Sequence, residues 1–137
     1  MASKSRFGVV GPNVIRSYGT DVANQPLAAG IAVVAGAAYN TVQLPGGANV
    51  RAFGVTAIPT QNAGDPASIV EFGEVTAIAD AAITRGQWVM VNAATGQLAP
   101  VGAVAGTNYE TVGFALEAAA NQGDEFLLFV SPQRVQG

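Results

Sequence analysis

Glycine and proline interrupt this chain every eight to twelve residues. The runs between the breaks are rich in Val, Ile, Phe, Thr and Tyr. Such side chains suit a pleated surface, and regular turn spacing of this kind marks an all-β sandwich or barrel. Strands are predicted near Ile31–Val34, Tyr39–Leu44, Val50–Ile58, Ser68–Ile78, Gln87–Val91, Gln97–Ala99, Thr111–Glu117 and Glu125–Ser131. Most of the intervening turns carry Gly or Asn, which tolerate positive φ. Ala-rich pieces at Ala77–Ile83 and Ala115–Ala120 allow at most one helical turn, near Ile78–Thr84. In Ser68–Ile78, Val70 and Phe72 share one parity and Val75 and Ala77 the other, which predicts a β-bulge at Gly73.

The landmarks recur. Phe53-Gly54-Val55-Thr56-Ala57 precedes Gln61-Asn62-Ala63-Gly64-Asp65, as Val112-Gly113-Phe114-Ala115-Leu116 precedes Asn121-Gln122-Gly123-Asp124. Gly54 to Asp65 and Gly113 to Asp124 are both eleven positions apart. Upstream, Gly30 opens Ile31–Val34 before Val42–Pro45, and Gly86 opens Gln87–Val91 before Gly96–Pro100. The offsets run from 56 to 59 residues. Two similar β-units, packed face to face, account for four landmarks in one order. The terminal strand is apolar on both parities, with Phe126, Leu128 and Val130 against Leu127 and Phe129. A strand with one wet face alternates, so Leu127 and Phe129 are candidate subunit-interface residues.

Chemistry is sparse. Hydrophobic residues make up 50% of the 137 and charged residues only 11%, well under the usual quarter. A chain so poor in charge favours burial against partners. There is no Cys and no His, which removes thiolates, disulfides, the commonest general base and the commonest metal ligand. Glu71 and Glu74 lie on opposite faces of a regular strand and read as solvated carboxylates. Asp65 and Asp124 follow glycine in turns. No nucleophile elbow, phosphate loop or carboxylate cluster is present, so neither an enzyme, a cofactor nor a metal site is expected. A pI near 4.6 without a basic stripe argues against nucleic acid. Trp88 is expected in the core. The longest apolar stretch, Leu27–Ala38, contains two glycines and is too short for a membrane helix. No export signal is recognisable, so synthesis in a host cytoplasm is expected.

Charge divides the chain. The first twenty residues hold Lys4, Arg6 and Arg16 and no acid, whereas the remainder holds three bases and nine acids. With Gly8, Gly11, Pro12 and Gly19 interrupting a thin apolar pattern, residues 1–25 read as an extended N-terminal arm. Residues 26–137 read as a single β-barrel-like domain.

Gly86-Gln87-Trp88-Val89, Asn92-Ala93-Ala94-Thr95-Gly96-Gln97-Leu98, Val112 to Ala118 and Gly123-Asp124 before an apolar strand resemble the capsid decoration, or cement, proteins of tailed bacteriophages. The resemblance covers the C-terminal half directly and the first half through the repeat. It implies a small β-barrel or β-tulip and a homotrimer on the outer face of an icosahedral capsid. It further implies the major capsid protein as partner, a stabilising role, and an N-terminal extension that reaches the shell. Arg6, Phe7, Val9, Arg16 and Tyr18 are the candidate attachment residues in that arm. A phage tail or baseplate β-module and a small-molecule-binding β-barrel are the alternative readings.

Overall fold

The computed structural model describes residues 10–20, 26–62, 64–102 and 104–136. Among them there is no helix, and nine strands form one sheet: β1 Val10–Thr20, β2 Ala32–Ala35, β3 Thr41–Gln43, β4 Gly54–Thr56, β5 Ala67–Ile78, β6 Trp88–Val91, β7 Leu98–Pro100, β8 Asn108–Ala115 and β9 Glu125–Gln136. The order is β1-β3-β2-β4-β5-β9-β8-β6-β7, and β1 also pairs with β5. That extra pairing closes β1, β3, β2, β4 and β5 into a ring. The architecture is all-β as the turn spacing predicts, in the form of a sheet partly closed on itself.

The two-unit reading holds at the level of single hydrogen bonds. Gly30 N donates to Thr56 O at 2.9 Å, and Gly86 N to Ala115 O at 2.7 Å. Ala57 N donates to Ser68 O at 3.0 Å, and Leu116 N to Leu127 O at 2.8 Å. Thr60 N reaches Leu27 O and Ala119 N reaches Ile83 O, both at 2.9 Å. Asp65 Oδ2 accepts from Asn62 N, and Asp124 Oδ2 from Asn121 N, each at 2.9 Å. These are the turn aspartates, each closing the loop that precedes it.

β5 belongs to both units. Its first half pairs with β1 through Ile15–Val70, Arg16–Ile69, Ser17–Ser68 and Tyr18–Ala67. Its second half pairs with β9 through Glu74–Phe129, Val75–Leu128, Thr76–Leu127 and Ala77–Phe126, the same register 59 residues on. The parallel Thr20–Val42 pair of β1 and β3 likewise recurs as the Ala79–Leu98 bridge. So β1, not foreseen as a strand, opens the first unit as the second half of β5 opens the next.

The parity change in β5 is real and lies slightly upstream of Gly73. Val14 pairs with Phe72 and Ile15 with Val70, which leaves Glu71 over on the β1 side. Val70 is therefore buried while Phe72 is 48% exposed, and the two do not share a face. Gly73 has φ 119°, and a Cβ there would strike the Asn13 side chain. Asn13 Oδ1 accepts from Glu74 N at 3.1 Å and spans the irregular stretch of β1. The single helical turn that the sequence allows at Ile78–Thr84 is not formed. Ala79 and Ile83 are bridged to Leu98 and Ala119, so long-range pairing takes the backbone groups a helix would use.

Two clusters fill the interior. The smaller holds Leu27, Ile31, Val33, Val42, Ala67 and Ile69, with Tyr18 and Leu44 against it. Side chains drawn from strands around a ring can meet only inside it. The larger joins Val75, Ala77, Val89, Leu98, Phe126 and Leu128 of the second unit to Ala32, Val55 and Val70 of the first.

Two equivalent glycines permit the closest strand approaches. A Cβ on Gly54 would collide with Val70 O, and one on Gly113 with Phe129 O. Backbone cannot retreat as a side-chain tip can. Gly113→Ala and Gly54→Ala should each lower unfolding free energy by about 2 kcal/mol or more in urea titrations. Gly47→Ala, where no atom lies within 4 Å of the added carbon, should be near neutral.

Candidate interaction surfaces

Of the five candidate attachment residues, Arg6, Phe7 and Val9 lie outside the described residues. Arg16 and Tyr18 sit two apart on β1 and meet the same carboxylate. Arg16 Nε is 3.0 Å from Glu71 Oε1, and the Tyr18 hydroxyl donates to Glu71 Oε2. Glu71 is the residue left over at the β5 bulge, so the irregularity delivers the carboxylate to β1. The Tyr18 ring also packs on Phe53 at 5.5 Å. Within the stretch 1–25, residues 10–20 are thus strand, tied to β5 and β3.

The interface candidates lie on β9. Leu127 is half-buried, and its N–H donates to Glu117 Oε1 at 2.9 Å. Phe129 stacks on Phe114 at 5.3 Å with an interplanar angle of 21°. Phe72 meets Phe129 edge-on at 5.1 Å, and Trp88 meets Phe114 edge-on at 5.4 Å. Trp88 pairs with Phe114 and Phe114 with Phe129, so one aromatic row crosses β6, β8 and β9 and ends at Phe72 on β5. All four rings are partly solvent-exposed. Trp88 is therefore on the outer face and not in the core: strand parity identified its ladder position but not which side of the sheet is covered. The double apolar character of β9 was the signal for this row, and it named Phe129 without Phe72, Phe114 and Trp88.

A third surface is a cleft of about 310 Å³ lined by Arg51, Glu110, Thr111, Pro132, Gln133 and Arg134. Arg134 Nε donates to Glu110 Oε1 at 2.9 Å, so two of the cleft's three charged side chains answer each other. Among the described residues no three His, Cys, Asp or Glu side chains gather in a way that could hold a metal ion. Glu71 is occupied by Arg16 and Tyr18, and Asp65 and Asp124 by turn amides.

The model of the phage cement proteins matches residues 18–130. The chain belongs to the phage cement protein family. That makes it one of a family of structural proteins of the virion. Among solved structures, the N base of head fiber gp8.5 of bacteriophage phi29 has a similar fold, with a TM-score of 0.63 and 15% identity over 90% of this chain and 98% of that one. A search of curated proteins finds no match.

The Tyr18–Glu71 contact has a pH signature. The Tyr18 phenol is held above its ordinary 10.0, first by its hydrogen bond to Glu71, then by burial and the Glu71 charge, with Arg16 opposing. A folded-state value above the unfolded one means that the contact's contribution is complete below pH 10 and is lost as pH rises through the raised value. Ultraviolet titration should show the Tyr18 phenol ionising later than a free tyrosine, and Glu71→Gln should bring it down. Because the Arg16 end is exposed, the same variant should cost no more than about 1 kcal/mol at neutral pH.

Proposed function

We propose that this cement-family chain binds the outer surface of an icosahedral phage capsid as a homotrimer, on the major capsid protein, and stabilises the shell. The family match over residues 18–130 carries the reading. The virion setting is consistent with the neighbour's description as a head fiber base. Physical support comes from a surface with an exposed aromatic row and very few charges, suited to packing against protein.

Stabilisation of this kind is thermodynamic linkage. A ligand that binds the closed shell and not its separated parts shifts the balance towards the shell by mass action. A trimer bridging several capsid subunits gains effective concentration from its geometry, so each contact need be only modest. No bond is made or broken, and no catalytic group is required.

Residues 1–25 are the proposed attachment segment, with β1 as its anchored portion. Arg6, Phe7, Val9, Arg16 and Tyr18 are the residues proposed to meet the shell, the last two while also holding Glu71.

Capsids lacking the protein should rupture at lower temperature than decorated ones, and added purified protein should restore them. A chain without residues 1–9 should restore them less well. Its binding should also lose much of the salt dependence of the full chain, because exposed charge contacts are screened beyond about 8 Å at physiological ionic strength. Equal heat stability with and without the protein would overturn the reading.

A further inference from the structure

Beyond position 20 the chain has only three basic residues, Arg51, Arg85 and Arg134, against nine acids. Two of the three line one cleft, the recess between Arg51 of the first unit and the β8–β9 ladder of the second. Arg134 is answered there by Glu110. Arg51 is not. It is exposed, and among the described residues its side chain forms no ion pair and no hydrogen bond.

The repeat shows why. Gly47-Ala48-Asn49-Val50-Arg51 ends three positions before Gly54, and Gly106-Thr107-Asn108-Tyr109-Glu110 ends three positions before Gly113. Arg51 is therefore the counterpart of Glu110, with the opposite charge. Glu110 finds its mate because β8 runs back to Asn108 and sets Glu110 opposite Arg134 on β9. In the first unit β4 begins only at Gly54, and the residue equivalent to Arg134 is Val75, buried in the larger cluster and paired with Leu128. No side chain of the first unit takes the part of Arg134 for Arg51. The segment before β4 instead crosses to the second unit. Asn49, at φ 53°, donates from N to Val91 O at 2.8 Å. Its Nδ2 donates to Asn108 O at 3.2 Å, and its Oδ1 accepts from Glu110 N at 2.8 Å. Ala52 belongs to the larger cluster and Val50 packs against it, so the residue between them is turned outward. Three hydrogen bonds and two apolar neighbours thus hold the Arg51 backbone at the rim of the cleft.

We propose that this cleft receives the carboxylate of an acidic side chain from a neighbouring protein chain, with Arg51 as its partner. The Glu110–Arg134 pair is the same contact already made inside the chain. Two guanidinium groups and one carboxylate leave a single positive charge, which one further carboxylate neutralises. A phosphate dianion would overshoot that balance beside Glu110. A guanidinium offers a carboxylate two parallel N–H groups, a geometry that adds direction to the attraction. Gln133, also exposed, contributes an amide to the same lining, and Pro132 an apolar wall. The site rests on the cement reading only in expecting a protein neighbour.

Arg51→Gln and Arg85→Gln remove the same charge from two exposed positions, and only Arg51 lines the cleft. At low salt Arg51→Gln should weaken association about tenfold, in particle binding or in sedimentation of the free protein, while Arg85→Gln leaves it unchanged. Arg51→Lys keeps the charge and adds an amine, and Lys4 is the only natural lysine. That variant, mixed with isotope-labelled chain, is treated with a water-soluble carbodiimide both free and bound to capsids. Mass spectrometry should find residue 51 joined to an Asp or Glu of another chain, and the joined peptide tells capsid protein from a second copy. A link to Glu110 of the same chain alone, or no link at residue 51 in either setting, would overturn the site, as would equal effects of the two Gln variants. A link between copies without particle binding would sink the cement reading and leave the cleft standing, and particle binding without any link would do the reverse.

Discussion

One strand holds this fold together by serving two units. The first half of β5 completes a ring with β1, β3, β2 and β4, and its second half opens the unit that β9 completes. A regular strand could not do both, because alternation commits each parity to one face along its whole length. The extra residue at Glu71 and the positive φ at Gly73 reset the alternation. Ile69 consequently belongs to the smaller cluster, while Val70, Val75 and Ala77 belong to the larger. Sliding β5 by one residue would misplace both cores at once, so its register is doubly determined.

The repeat was legible because it is written in residues with backbone reasons to be there. Gly54 and Gly113 mark where a partner carbonyl comes too close for a side chain, and Asp65 and Asp124 cap the same turn. Eight of the nine strands follow from the turn spacing to within a few residues. β1 was not legible as a strand: Gly11, Pro12 and Gly19 interrupt it, and Val14 and Ile15 remain exposed. Its place is set by ladder bonds to β5 and by Asn13, neither of which leaves a hydrophobic pattern. The segment after β5 misled for the opposite reason. Its alanines favour a helical turn locally, but Ala79 N donates to Asp124 O and Ile83 N to Ala119 O, and long-range pairing overrides propensity.

The surface was half legible. The double apolar character of β9 shows that both faces of that strand are apolar, and it named Phe129. It could not show that Trp88 and Phe114 lie in the same row, because cross-strand neighbours depend on register. Nor did charge segregation near the N-terminus reveal that Arg16 is already matched by Glu71. Residue type gives the sign of a charge, and only the fold shows whether a partner has answered it.

The asymmetry between the units also bears on how such a chain could have specialised. The two units carry equivalent rows at Ala32–Val55–Val70 and Trp88–Phe114–Phe129. The row of the first unit carries Ala32, Val55 and Val70, which pack in a buried cluster, and Gly96 lies against Ala32 where a Cβ would not fit. The row of the second unit carries Trp88, Phe114 and Phe129, all larger and all reachable by solvent. An aromatic row of this kind is a liability on a free monomer and an asset in an assembly, where burial of its area drives association. The divergence of the two rows, small where the contact is internal and aromatic where it is open, is the pattern that association in a larger assembly would select.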